Sequence, residues 1–140
     1  MMHDIRKITI VKISKPVRKQ VNVDLQWFAG SLGLFSLRDK NSSCFRLFIE
    51  LLKAAKRNHP MSSDELAVRL GLSRGTVVFH LDKLISAGLV IVRGGKYILK
   101  ESNLELLIDE LRRDTEQIFE GLKEMAKDID EQIGFEKRTH

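Results

Sequence analysis

The sequence predicts a mainly α fold with a small β-wing, followed by one long C-terminal helix. Three observations predict it. Residues 62–99 read as two short helices, a tight turn and a two-stranded hairpin, in that order. Residues 42–58 carry an apolar face at helical spacing. After residue 102, apolar residues recur at alternating steps of four and three for more than three heptads. The predicted divisions are a basic N-terminal arm or β-hairpin (1–26), a winged helix-turn-helix (27–100), a dimerisation helix (101–133) and a frayed tail (134–140).

The first segment, 5–13, is rich in β-branched residues and predicts a strand, which Pro16 interrupts. Val21, Val23 and Leu25 alternate with polar residues and predict a second strand. Arg6, Lys7, Lys12, Lys15, Arg18 and Lys19 make this region basic. Two readings stand. The arm touches phosphates, or it is a solvated edge or dimer-contact strand whose charges block aggregation. Residues 27–35 (WFAGSLGLF) predict a short helix or turn whose aromatics fill the core, with a ligand pocket at Trp27, Phe28 and Phe35 as the less favoured reading.

Asn41 or Ser42 is the N-cap expected for the next helix. Phe45, Phe48, Ile49, Leu52 and Ala55 form its expected apolar face. Lys53, Lys56 and Arg57 crowd its end, where they complement the helix dipole or meet a phosphate. Pro60 closes the segment.

Ser62 and Glu65 have the S-x-x-E spacing of a capping box and open the following helix. Gly71 permits the left-handed backbone that ends it, and Leu72 plugs the turn. Ser73 caps the second helix of the pair, 73–87. Val77, Leu81, Leu84 and Ile85 make its inner face. The outer face carries Gly75, Phe79, Asp82, Lys83 and Ser86, with Thr76 at its border. Gly88 closes this helix. Residues 89–93 and 96–99 then predict a hairpin around Gly94-Gly95, a dipeptide suited to positive φ.

Ser102 and Glu105 repeat the capping-box spacing. Leu104, Ile108, Leu111, Thr115, Ile118, Leu122, Met125 and Ile129 form the heptad seam. A helix of ~30 residues is ~45 Å long, and the small winged domain does not cover that stripe. The expected partner is the same helix of a second subunit, with Leu104, Ile108, Leu111, Ile118, Leu122, Met125 and Ile129 at the interface. Folding back on its own domain is the less favoured alternative.

Charge is divided along the chain. Residues 1–40 hold eight Lys/Arg and three Asp/Glu, residues 41–100 ten and four, and residues 101–140 six and twelve. The basic surplus lies on the arm and the helix-turn-helix segment, where it suits a polyanion. No apolar run approaches the ~20 residues of a membrane span, and the N-terminus has no signal-peptide core, so the expected location is cytoplasmic and no membrane partner is expected. A single cysteine rules out an internal disulfide framework.

The stretch L-S-R-G-T-V-V-F-H-L-D-K-L-I-S-A-G-L-V resembles the recognition-helix signature of the arsenical-repressor-like (ArsR) winged-helix regulators, the archaeal ones in particular. Leu72, Ser73, Val77, His80, Leu81, Leu84, Gly88, Leu89 and Val90 carry the resemblance. It implies a homodimeric, sequence-specific regulator of transcription that binds double-stranded DNA. Helix 73–87 would enter the major groove, and the wing turn 93–96 would meet the flanking backbone or minor groove. Arg74 would bond a guanine edge or a phosphate, and Thr76 a phosphate or a thymine methyl. Gly75 would allow close approach. Lys83 would reach a phosphate, and Ser73, Phe79 and His80 belong to the same expected interface. Arg93 and Lys96 would hold the wing on DNA. Two-fold symmetry predicts an inverted repeat with half-sites ~10 bp apart or a multiple of that.

Phe79 departs from the polar residues of many relatives. It would touch a thymine methyl, pack on the N-terminal segment, or meet another subunit. His80 is read as structural or phosphate-facing rather than a ligand. No metal site is expected: Cys44 stands alone, and His59 and His80 lack ligand spacing. The sequence calls for no cofactor and identifies no small-molecule effector. It has no glycine-rich phosphate loop, nucleophile elbow or HExxH, so no enzyme is expected. The competing readings are a winged-helix protein-interaction module and a non-specific, chromatin-type DNA binder.

Overall fold

The computed structural model describes residues 5–17, 20–34 and 42–134. Along the chain lie α1 (Val21–Ser31), α2 (Ser43–Lys56), α3 (Ser63–Leu70), α4 (Arg74–Ser86), β1 (Val90–Arg93), β2 (Lys96–Leu99) and α5 (Leu104–Ile133). The chain divides into two units, Met1–Leu107 and Ile108–His140. The fold class is the expected one: mostly helical, with an antiparallel hairpin after the helix-turn-helix and a long C-terminal helix.

The core of the first unit gathers Leu47, Phe48 and Leu51 of α2, Leu66 of α3, and Val77, Leu81 and Leu84 of α4, all fully buried. Leu89, Val90 and Leu99 close it from the hairpin side. The buried face of α2 is turned from the expected one. Cys44, Leu47, Phe48, Leu51 and Ala54 are buried, while Phe45, Ile49, Leu52 and Ala55 are half-buried. The α2 sequence holds two overlapping apolar stripes, and a 3.6-residue period alone does not rank them. Burial of Glu50 accompanies this rotation, and the Arg69 guanidinium of α3 lies against its carboxylate.

The helix-turn-helix is set by its caps. Ser62 Oγ accepts from Glu65 N–H at 3.1 Å, and Ser62 N–H donates to Glu65 Oε1 at 3.2 Å, so the capping box is complete. That backbone N–H holds the Glu65 carboxyl below the ordinary carboxylate range. Its share of stability is therefore present above the unfolded carboxyl pKa and is lost as pH falls through the lowered folded value. Ser62→Ala is expected to cost about 1 kcal/mol, read as a lower urea midpoint with an unchanged m-value.

The hairpin pairs Val90 with Leu99 and Arg93 with Lys96. Gly94 (φ 56°) and Gly95 (φ 73°) both take the positive φ that a two-residue type I′ turn requires. The hairpin is tied at a third point. Met61 N–H donates to Tyr97 O at 3.1 Å, and Tyr97 N–H donates to Met61 O at 2.7 Å. The linker after α2 thus supplies a one-residue strand to the wing.

The N-terminal region corrects the hairpin expectation. Residues 5–16 form neither helix nor strand, and Val21–Ser31 is a helix, so the division expected at residue 26 falls inside α1. Alternation over Val21, Val23 and Leu25 is outweighed by the packing of the next turn. Phe28 stacks on Phe48 with centroids 6.3 Å apart, and Ala29 is buried. With α1 helical, 5–13 has no partner strand among the described residues. It lies instead as an extended arm, with Lys7 N–H on Ser86 O (3.0 Å), Val11 N–H on Ser31 O (2.7 Å) and Trp27 Nε1–H on Ile13 O (3.0 Å). Arg6 packs over Gly88, whose missing Cβ makes the room. Arg18, Lys19, Phe35 and Asn41 lie outside the described residues.

Helix α5 starts on a different cap from the expected one. Asn103 Oδ1 accepts from Leu106 N–H at 2.9 Å, so Asn103, not Ser102, opens the helix. Asn is an equally strong N-cap and stands one residue closer to Leu104. The helix runs 30 residues and ends before Gly134 (φ 77°). No helix among the described residues is long and apolar enough to cross a membrane.

Candidate nucleic-acid interface

Helix α4 presents two distinct faces. Val77, Leu81 and Leu84 are fully buried, which leaves Gly75, Phe79, Asp82, Lys83 and Ser86 along the opposite side, all exposed. The N-terminus of α4 is fixed by Ser73, whose Oγ accepts from Thr76 N–H at 3.1 Å and donates to Thr76 Oγ1 at 2.8 Å. The Ser73 hydroxyl therefore serves the helix first. Arg74 stands at the first turn, its Nε 3.5 Å from Asp64 Oδ1, with both side chains about three-quarters exposed (73% and 75%). A pair this exposed contributes little and is readily exchanged for another anion.

Phe79 lies at the middle of the outer face with 68% of its surface exposed. Its ring meets the His80 imidazole edge-on, with centroids 5.2 Å apart. His80 is only 8% exposed and belongs to the inner side of the helix, apart from the expected contact set. Lys83 is one turn beyond Phe79. At the other end of the face, the wing turn carries Arg93 and Lys96, both exposed and directly paired in register. Ser73, Arg74, Gly75, Phe79, Lys83, Arg93 and Lys96 are thus solvent-facing, Thr76 is half-buried, and His80 is buried, which agrees with the structural reading of that residue.

One residue of this face, Asp82, was not among the sequence-based contact candidates, and Lys7 of the basic arm joins it. Asp82 lies between Phe79 and Ser86 and shares a groove with Lys83, Lys7 and Thr9. Lys7 reaches that groove through its main-chain bond to Ser86 O. Helical spacing alone identifies Asp82. Lys7 carries no local signal, because its position depends on a contact across almost eighty residues of chain.

The surface carries Arg74 at the start of α4, Phe79 at the middle of the helix and Arg93 and Lys96 on the wing, and α4 packs on α2 and α3 through its buried face. It suits a polyanion whose groove offers both phosphates and base edges. Within α5, Leu104 and Ile108 are half-buried and Leu111 is buried. Ile118, Leu122, Met125 and Ile129 are 42–59% exposed along one stripe, with Phe119 and Ile133 beside it.

Residues 41–93 match the family model of a helix-turn-helix domain. The match spans α2, α3, α4 and β1, and it supports a DNA-binding role for the surface just described. No curated protein and no solved structure matched the chain.

Proposed function

We propose that this chain is a homodimeric, sequence-specific DNA-binding regulator of transcription of the ArsR-like winged-helix type, without enzymatic activity. The observation that carries the reading is the outer face of α4, open to solvent inside the segment that matches a helix-turn-helix domain. In this reading α4 enters the major groove from its N-terminal end. Arg74 leaves Asp64 for a guanine edge or phosphate, Gly75 lets the helix backbone approach, and Thr76 and Lys83 meet the phosphate walls. Arg93 and Lys96 hold the wing on the adjacent backbone. The exposed stripe of α5 pairs with its copy in a second chain, which presents two recognition helices to one duplex.

The test is selection of duplexes from a random pool by the purified full chain, with its mass in solution measured alongside. An enriched inverted repeat bound by a dimer is the expected result. Binding without enrichment, lost at physiological salt, indicates a non-specific binder. No binding at low salt points to a protein partner. On the selected site, Arg74→Ala is expected to cost roughly ten- to a hundredfold in affinity and to relax one base position. Arg93→Ala is expected to weaken all sequences alike and to lower the salt slope by about 1.

A further inference from the structure

We infer that Phe79 makes the centre of each half-site thymine-selective by packing its ring on the C5-methyl groups of thymine in the major groove. The inference rests on the DNA-binding reading above and adds what the middle of the recognition helix reads.

Phe79 is the large apolar side chain at the centre of the outer face, and it is 68% exposed. It is not absorbed by the N-terminal arm, although Lys7 and Thr9 line the groove beside it. Side chains on a helix lean toward its N-terminus, over the residue four positions earlier. For Phe79 that residue is Gly75, where nothing lies within 4 Å of the place a Cβ would take. The ring therefore has open space on the side that leads into the groove. The adjacent, buried His80 meets it edge-on, with centroids 5.2 Å apart. An exposed, apolar ring projects from the middle of the reading surface, flanked by Arg74 and Thr76 before it and Lys83 after it.

Phenyl carbon neither donates nor accepts a conventional hydrogen bond. Against a G·C pair it would displace water from base-edge donors and acceptors and leave them unpaired, which is costly. The major groove presents a single apolar feature, the thymine methyl. A ring in this place thus selects by what it fails to satisfy as much as by what it covers.

The experiment uses the site selected by the full chain. Thymines at the centre of the half-site are replaced by deoxyuridine, which removes the methyl and keeps the base pairing. The wild-type chain is expected to lose about three- to fivefold in affinity per methyl contacted. Phe79→Ala is expected to bind more weakly from the outset and to be indifferent to the replacement, with Phe79→Leu intermediate. Both variants should fold, because the side chain is exposed, and a thermal melt checks this. Selected sites without thymine at the half-site centre overturn the inference, as does an equal deoxyuridine effect on wild type and Phe79→Ala. In both of these cases the DNA-binding reading stands. If wild type selects no duplex at all, both readings fall.

Discussion

Leu122→Glu is expected to abolish self-association of the chain and to lower affinity for a two-half-site duplex by about a hundredfold or more. Leu122 lies in the middle of the exposed stripe of α5, with 59% of its surface exposed in the single chain. A carboxylate is therefore tolerated in the lone subunit. In a paired seam it would be buried opposite its own copy, where two like charges without partners are strongly unfavourable. Sedimentation or light scattering should show half the wild-type mass, and circular dichroism should show the first unit folded. Binding to a single half-site should change little, because the loss comes from tethering rather than from contacts. A wild-type chain that is already monomeric at tens of micromolar would remove the dimer from the proposal.

Phe48→Ala is expected to cost about 3–5 kcal/mol. Phe48 is fully buried in α2 and stacks on Phe28 of α1, with the ring planes 21° apart. Truncation leaves a cavity between α1 and the helix-turn-helix and removes the contact that anchors α1. Small domains have only about 5–15 kcal/mol in hand, so the variant should unfold at much lower urea or lie partly unfolded at 25 °C. Phe28→Ala, on the half-buried partner, should cost less. Equal effects would mean that α1 and α2 unfold as one block.

The helix-turn-helix is legible in the sequence because its signals are local. Ser62 and Glu65 close a capping box, Ser73 caps α4, and Gly71 ends α3, each within four residues of the boundary it sets. The inner and outer faces of α4 come from one unambiguous stripe. Residues 5–31 are not legible in this way, because their conformation depends on remote partners. Val21 to Leu25 alternate as a strand would, yet the ring of Phe28 against Phe48 holds the segment helical. Likewise, α2 offers two stripes, and only its packing against α3, α4 and β2 chooses between them. At the candidate interface, exposure of Phe79 and burial of His80 separate two adjacent residues that the ArsR resemblance puts in one set. A 100° step along a helix decides which of them meets a partner.

The reciprocal bonds between Met61 and Tyr97 have a mechanical consequence. A free two-stranded ribbon could swing and adjust its reach to DNA of different width. Here β2 is stitched at Tyr97, one pair from the turn, to the linker that leads directly into the Ser62 cap, so the outer part of the hairpin is tied to the start of α3. That tie restrains the swing of the wing relative to α3, and the exposed side chains of Arg93 and Lys96 supply the remaining reach. In the proposed complex such a restrained wing would favour duplexes whose groove width matches it, a selection that needs no base contact.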